Sequence, residues 1–478
     1  MIRSIAEVKT GVDLEVFRRY AGLSLPRHVS YPMPTWWGDV TADDLRSMHE
    51  ESSRKQPAND LSLYLHVPFC EALCKFCACN RVILRKSAAG AEDRTEAYVT
   101  ALRQEIERLA ELAERGRPLR QIHWGGGSPT YLAPETIAQI HETIAQSFRI
   151  AADAEIAMEV DPRHASCEFL ENLHRLGFNR LSMGVQDYDE RVQEHVRRIQ
   201  PFEMVREVVQ TCRALGFPSV NFDLIYGLPY QTVETIRDTV ERTLSLSPDR
   251  VAYYHYAQIP EKIATQRGMD YTKLPDSEAK LEMFLLGVRL FQEAGYEFVG
   301  LDHFARPDEL LAKAQRDGTL QRNFQGMTTG GGLDLIGAGV SSISHLAGVG
   351  FVQNVRETDD YIARVGRGEW PIHRGKRFTL DDLVRQAVMN QLYCSTRIEP
   401  SEIERRFGIV FGDYFARELE VLKELDRDGL VEINGDGAIE VTLPLGRVLL
   451  RTVAAVFDAY LEPDAYRVGD RNCFSANA

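Results

Sequence analysis

From residue 61 to about 260, short runs rich in β-branched and aromatic residues alternate with longer stretches of helical period. The strand candidates are 61–66, 121–124, 156–160, 180–183, 220–223 and 251–256. The helical stretches between them are 92–115, 134–148, 168–176, 201–215 and 232–244. Such alternation predicts βα units around a parallel sheet, an α/β fold. Six strands in a row fit a partial barrel as well as an open sheet, and spacing alone does not separate the two.

The flanks read differently. Residues 1–60 show no clear repeat; a short helix over 13–20 runs into 23–34, where three prolines predict an extended arm. A further amphipathic helix is predicted over 276–296, followed by an irregular glycine-rich stretch at 323–332. From 371 onward the pattern is helix (380–393), helix (401–407), helix (414–427), a hairpin turning at Asn434-Gly435-Asp436-Gly437, and a long final helix. That layout resembles a winged helix. The expected parts are an N-terminal arm (1–60), a central βα unit with an extension (61–370) and a mainly helical C-terminal domain (371–478).

Length and charge narrow the function. A chain of 478 residues exceeds what one hydrophobic core supports. A formal charge of −14 argues against nucleic acid as the main partner, because neutralising phosphates needs excess cations. The winged-helix-like segment carries fourteen basic and eighteen acidic residues, so it is expected to pack or cover rather than read DNA. No run of about 18 apolar residues predicts a membrane span. The first residues, Met1 to Glu7, lack the apolar core of a leader. A cytoplasmic protein is expected.

Of eight cysteines, Cys70, Cys74, Cys77 and Cys79 crowd into ten residues; Cys167, Cys212, Cys394 and Cys473 are scattered. A disulfide framework would be spread more evenly. The spacing C-x3-C-x2-C follows a predicted strand. A structural zinc site normally adds a second cysteine pair 12–20 residues away, and the next cysteine here is Cys167. Three local thiolates suit a cubane iron–sulfur cluster with one iron open to a ligand. Zinc, unliganded thiols and a fourth ligand at Cys79 stay open on spacing alone.

Functional groups in parallel βα folds collect where strands end. The second candidate strand is followed by Gly125-Gly126-Gly127-Ser128-Pro129, whose glycines let backbone approach a ligand closely. This segment matches neither phosphate-binding glycine fingerprint. Glu159, Gln186 and Asp223 stand at three successive strand ends and offer acceptors to a ribose, an amino group and a sulfonium. Each taken singly fits a helix cap equally well.

The cysteine spacing, with Phe76 just before the third cysteine, resembles the signature of the radical S-adenosylmethionine enzymes. More narrowly, the chain resembles the oxygen-independent coproporphyrinogen III oxidase family over nearly its whole length. The resemblance rests on Pro26–Pro32 with its Arg27-His28 and Ser30-Tyr31-Pro32, on Tyr64-Leu65-His66-Val67-Pro68-Phe69-Cys70, and on Cys77-Ala78-Cys79-Asn80. It rests too on His123 to Leu132, Gly177 to Asp187, Asp223 to Pro229, Asp302 to Asp308 and Arg322-Asn323-Phe324-Gln325-Gly326.

The resemblance implies a three-quarter parallel βα barrel in which Cys70, Cys74 and Cys77 hold a 4Fe–4S cluster. It implies two S-adenosylmethionine molecules. Tyr64, Gly126 and Glu159 would contact the one on the cluster, with Ala257 and Ile343 closing around it. Phe76, Gly127, Ser128, Gln186, Arg198 and Asp223 would line or bridge to the second. Phe324, Gln325 and Ile225 would complete the pocket. Tyr64, His66 and Glu159 would stand nearest the chemistry. The implied reaction is oxidative decarboxylation of two propionates of coproporphyrinogen III to vinyls by a 5′-deoxyadenosyl radical, giving protoporphyrinogen IX. An electron donor and an electron acceptor of unknown identity are implied, and a monomer. The substrate's four carboxylates call for local cations in an acidic protein, for which Arg27 and Arg322 are the candidates. Ala78, Val29, Met327 and the pair Arg197-Arg198 depart from the family pattern, and none removes an implied ligand. A haem chaperone and a radical enzyme for another tetrapyrrole are the alternatives; the segment preceding Tyr64 favours the oxidase.

Overall fold

The computed structural model describes residues 12–56, 59–113, 116–469 and 475; the leader reading and Cys473 lie outside the described residues. Parallel strands stand at all six predicted places: β1 (Leu61–Val67), β2 (Pro118–Gly126), β3 (Arg149–Val160), β4 (Arg180–Gln186), β5 (Ser219–Tyr226) and β6 (Arg250–His255). Most are longer than apolar runs alone indicate, because side chains alternate between two faces. In β1, Leu61, Leu63, Leu65 and Val67 pack into one core with Leu102 and Ile106 of α1 (Ala91–Leu112), while Ser62, Tyr64 and His66 turn the other way. In β5, Val220, Phe222 and Leu224 join that core and Asn221 and Asp223 face inward.

The predicted helices between the strands are α2 (Pro134–Ser147), α3 (Cys167–Arg175), α4 (Phe202–Leu215) and α5 (Val233–Ser245); a further short helix, Glu190–Val196, stands unpredicted between β4 and β5. Local chemistry sets their starts. The Ser166 side chain accepts from the Phe169 amide, and Thr232 with Thr235 makes a reciprocal cap for α5. The predicted helix over 276–296 is α6 (Ser277–Glu293), capped by Asp276.

The strands β1 to β6 run side by side in chain order, all parallel. On the other edge of β1 lies β7 (Asp334–Ala338), also parallel, with Leu61 opposite Asp334. Antiparallel strands extend the sheet past β7 and past β6, and it does not close: Ile372–Arg377 and Glu297–Val299 form its two edges. Ser62, Gln121, Glu155, Arg180, Asn221 and Arg250, one from each of β1 to β6, nevertheless line a single cavity of about 120 Å³. The sheet therefore curls into a partial barrel with a polar lumen. Its floor is a buried charge network in which Arg250 bonds Glu309 and Glu155, and Arg180 pairs with Glu155 at 3.3 Å.

Three features differ from the sequence reading. Helix Ala42–Lys55 lies within the stretch that showed no repeat; its buried apolar face is only Leu45 and Met48, and a Thr41–Asp44 capping box starts it. The glycine-rich stretch carries a small hairpin, Gln321–Asn323 against Gly326–Thr328. The long final helix is instead two short ones, Leu445–Val448 and Leu450–Val456, with a turn at Ala465–Val468. After Val456 the chain turns so that Asp458 meets His28 of the arm at 2.8 Å and the Ala459 amide donates to the Tyr31 hydroxyl. The arm also buries Phe17, Tyr20, Leu25 and Tyr31 in one core with Val384, Leu392, Leu422 and Leu450.

Glu105 on α1 carries a testable consequence. Its buried carboxylate accepts from the Gly339 amide (2.7 Å), the Tyr361 hydroxyl (2.6 Å) and the Asn354 amide (2.7 Å). Burial raises its pKa from 4.5 to about 7, against the pull of those hydrogen bonds. The unfolded chain thus loses this proton first. Stability from this group is unpenalised below pH 4.5 and falls as pH rises toward 7, by about 3 kcal/mol. The stability gap between the wild type and Glu105→Gln is expected to be wider at pH 5 than at pH 8 in urea unfolding; an equal gap at both contradicts it.

Candidate active site

The cysteine loop leaves β1 through a short strand, Phe69–Cys70, that pairs with Val82–Ile83 and so closes the loop at its base. Its interior is pinned from outside. The Lys75 amide donates to Val196 O (3.0 Å), Gln266 Nε2 to Phe76 O (3.2 Å) and Thr265 Oγ1 to Cys77 O (3.3 Å). Cys70, Cys74, Cys77 and Cys79 are free thiols, and all four line one cavity of about 270 Å³.

The opposite wall of that cavity is made of strand ends and, at Asp223, of a residue inside a strand: β5 runs on to Tyr226, so Asp223 is not at the strand end where the sequence reading put it. Gly126, Gly127 and Ser128 come from the end of β2, Glu159 from β3, Gln186 from β4 and Asp223 from β5, with Phe76 and Arg198 beside them. Glycine is required here by contact. A Cβ on Gly126, whose φ is +119°, would lie 2.9 Å from the His66 ring, and one on Gly127 would lie 2.4 Å from Pro68 O. Gln186 holds φ +67° at a bulge in β4, an uncommon conformation for a side chain of its size. Bulges and strained backbone of this kind re-aim side chains at functional sites.

Charges bracket the thiols. Arg198 approaches Cys74 Sγ at 3.6 Å and Asp161 at 3.3 Å, and donates twice to Gly184 O. Arg163 pairs with Asp161 through two nitrogens at 2.9 and 2.6 Å. Burial works to raise the Asp161 carboxyl, but Arg198 and Arg163 hold it well below the usual range. Burial pushes the Cys70 thiol up to about 12, and the neighbouring Cys77 and Cys74 sulfurs add to it. A hydrogen bond with Cys79 pulls Cys77 down.

Behind the glycines stands an aromatic relay. His66 Nε2 bonds Asn80 O (2.8 Å), which makes it the protonated nitrogen; Nδ1 then accepts from the Tyr64 hydroxyl at 3.1 Å. Burial lowers the His66 pKa, so the ring is neutral. Tyr64 stacks on His123 (5.9 Å between centroids), and His123 Nε2 bonds Glu159 Oε1 at 3.3 Å. Glu159 Oε2 accepts from the Gly126 amide, also at 3.3 Å. Asp223 accepts from Asn221 (3.0 Å) and Ser182 (3.3 Å), and burial, with Glu159 nearby, raises its carboxyl to about 6.

Three sulfurs on one wall and polar strand ends on the other fit a cluster with one side open to a ligand. Elevation of Cys70 by burial and by its fellow thiols is what a multiply charged iron cluster relieves. Among the described residues, no three of His, Cys, Asp and Glu are arranged for a single metal ion.

Comparison with known proteins bears on the same residues. Residues 64–243 match the model of the Radical SAM superfamily. The oxygen-independent coproporphyrinogen III oxidase of Salmonella typhimurium is 41% identical over 461 residues, spanning 96% of this chain and 98% of that one. The chain belongs to the oxygen-independent coproporphyrinogen III oxidase family. The Escherichia coli K12 relative of the same name is 41% identical over 453 residues, and that of Synechocystis 40% over 454. A solved structure of coproporphyrinogen III oxidase from Escherichia coli, described as a radical SAM enzyme, matches with a TM-score of 0.85 at 40% identity. It covers 94% of this chain and 99% of that one.

Within this family's fold, the residues named from the sequence separate into two groups. Cys70, Cys74, Cys77, Phe76, Gly126, Gly127, Ser128, Glu159, Gln186, Arg198 and Asp223 share the thiol-lined cavity. Tyr64, His66, Ala257 and Ile343 stand outside its lining. Ala257 O is tied through Gln266 Nε2 (2.8 Å) to the carbonyl of Phe76, and the backbone of Ile343 crosses over Gly337, the register partner of Tyr64. Gln325 lines the lumen cavity, whereas Arg322 and Phe324 line a third cavity of about 280 Å³ beneath the arm. Ile225 O accepts from Gln231. Asp161, Arg163 and His123 were not singled out from sequence as site residues. Asp161-Pro162-Arg163 directly follows Glu159, and that position at a strand end was the available signal.

Proposed function

We propose that the protein decarboxylates two propionates of coproporphyrinogen III to vinyls anaerobically, giving protoporphyrinogen IX. The observation that carries this reading is the single cavity joining three loop cysteines to polar residues of β2 to β5, in a chain of which 96% matches a named relative. Cys70, Cys74 and Cys77 would hold a 4Fe–4S cluster, and the strand ends would hold S-adenosylmethionine, in two molecules. When bound, these groups supply a carbon radical that removes hydrogen from the propionate.

The chain's own residues then orient and exclude. The Gly126–Gly127 backbone admits a ligand against β2 where a side chain would clash. Glu159, held by His123 and the Gly126 amide, offers a fixed acceptor. Asp223, raised to about 6, is poised to accept or share a proton near neutrality. Tyr64 and His66 would act by fixing that wall, since His66 is neutral and committed to Asn80. Arg198 and Arg163 would counter the negative charge that three thiolates bring. Residues 61–370 would carry the chemistry; the arm and 371–478 would cover it. The same reading makes the protein a cytoplasmic monomer supplied by a separate electron donor and acceptor; among the described residues no helix is long and apolar enough to cross a membrane.

The test is anaerobic. After cluster reconstitution, the protein is incubated with S-adenosylmethionine, a reductant and coproporphyrinogen III. Vinyl product with about two 5′-deoxyadenosines per protoporphyrinogen, one for each propionate, is expected. Tight haem binding without vinyl product would instead make it a chaperone.

A further inference from the structure

Above the ends of β5 and β6 the protein gathers cations, three of which, Arg27, Lys280 and Arg322, make no ion pair among the described residues. Arg27 of the arm donates Nη2–H to His255 O at 2.6 Å and makes no ion pair among the described residues. Arg322, on the small hairpin, leaves Nε and Nη1 buried and without a partner, its guanidinium 5.1 Å from the Tyr393 ring centroid. Lys280 of α6 makes no ion pair among the described residues either. It lies against His255: a Cβ on Gly227 would meet the His255 ring at 3.3 Å and Lys280 Cε at 3.6 Å. Arg451, buried, is already engaged: it donates to Ser475 O at 2.6 Å and reaches Pro26 O beside Arg27, adding its charge to the group. Both ring nitrogens of His255 are buried with no hydrogen-bond partner.

Among the described residues Asp302 is the one acid that faces both Arg27 and Arg322, and the acids nearby are already engaged. Asp302 bonds His303 at 2.7 Å, Asp458 bonds His28 at 2.8 Å, and Asp276 caps α6. Burial drives Arg27, Lys280, Arg451 and His255 downward in pKa; Asp302 offsets this at Arg27 and Asp276 at Lys280, while Arg322 repels Arg27, and Arg27 repels Arg451 and His255. Buried cations are ordinarily paired or hydrogen-bonded. A nest with this excess of positive charge, two unused guanidinium nitrogens and an orphaned imidazole has room for a further anion.

The chemistry of that anion follows from the donors. The unpartnered Nε and Nη1 of Arg322 face different edges of one guanidinium, and each can give a carboxylate oxygen one charge-assisted hydrogen bond. None of these five residues lines the cavity that holds the cysteines. They adjoin the other two cavities instead. Tyr254, next to His255, and Asn323, next to Arg322, line the lumen, while Arg322 and Asn323 line the space beneath the arm.

We propose that Arg27, Lys280, Arg322 and Arg451, grouped around His255, hold a propionate of the tetrapyrrole that is not the one reacting, and so set the orientation of the macrocycle against the cluster. The proposal rests on the functional reading above and adds to it a second, remote anchoring point.

The experiment measures binding, not turnover. Coproporphyrin III, the oxidised and unreactive form, and its tetramethyl ester are titrated by fluorescence into reconstituted holoenzyme. The variants are Lys280→Met, Arg322→Met and the charge-keeping Lys280→Arg. The wild type is expected to prefer the free acid. Each methionine variant should lose about tenfold or more in affinity for the acid, the scale of a lost charged hydrogen bond, and little for the ester. Lys280→Arg should keep most of the preference. Because acid and ester are compared on the same protein, a folding defect, which lowers both, is separated from loss of the site; melting temperature and iron content check it. Unchanged acid affinity in both methionine variants, with a wild type that binds and converts substrate, overturns the anchoring site alone. A wild type that neither binds coproporphyrin III nor yields vinyl product overturns the functional reading and the site with it.

Discussion

Replacing Cys74 with Ser is expected to leave a folded protein without its iron–sulfur absorbance and without cleavage of S-adenosylmethionine. Cys74 is the buried member of the three, approached by Arg198 at 3.6 Å. An alcohol does not give up its proton as a thiol does, so the substitution removes a ligand while conserving shape. The loss should exceed a hundredfold, because the radical chemistry has no other source here. Iron and acid-labile sulfide per chain, with deoxyadenosine formed under dithionite, check it. Cleavage at wild-type rate would reassign the third ligand, with Cys79 the candidate by its place in the same cavity. Cys79→Ser, in contrast, should retain a cluster.

The largest stability effect is expected at the floor of the barrel. Arg250 is 2% exposed and bonds both Glu309 and Glu155. Arg250→Met would leave Glu309 buried without its arginine and Glu155 with Arg180 alone. Removing one partner of a buried network costs about 3–5 kcal/mol, whereas apolar replacement of the whole network can be neutral. Urea unfolding should register the loss, and Arg250→Lys, which keeps the charge but not the fork, should recover part of it. A loss under about 1 kcal/mol would mean that water already reaches these carboxylates.

Much of this architecture was legible because it is local. Each of β1 to β6 announces itself through apolar residues on its helix-facing side, and the cysteine loop through spacing. Glu159 and Gln186 were findable because a strand and its end can be read from neighbouring residues; Asp223 was found with its strand ended three residues too early. What could not be read is pairing across the chain. Nothing near Asp334 says that its strand will lie beside β1, and nothing near Arg250 says that it will meet Glu309. His123 reads as part of a strand until Tyr64 stacks on it. Arg27 and Arg322 stood out as cations for a substrate, but their company was hidden: Lys280 comes from α6, His255 from β6 and Arg451 from a helix near the C-terminus. Helix Ala42–Lys55 was missed for the opposite reason, since two apolar contacts give too little period to detect.

The place of β1 in the sheet bears on how the chain is made. Its first edge is satisfied by β2, the next strand of this sheet to be synthesised, but its second edge waits for β7, which follows every other parallel strand of the barrel. On the ribosome, residues 61–67 therefore spend most of elongation as an open template beside a loop of reduced thiols. Contacts this distant in sequence slow folding, and unpaired strands invite wrong partners meanwhile. Emergence of residues 334–338 is then the event that ends the risk, and truncations before it should aggregate where those just after it need not.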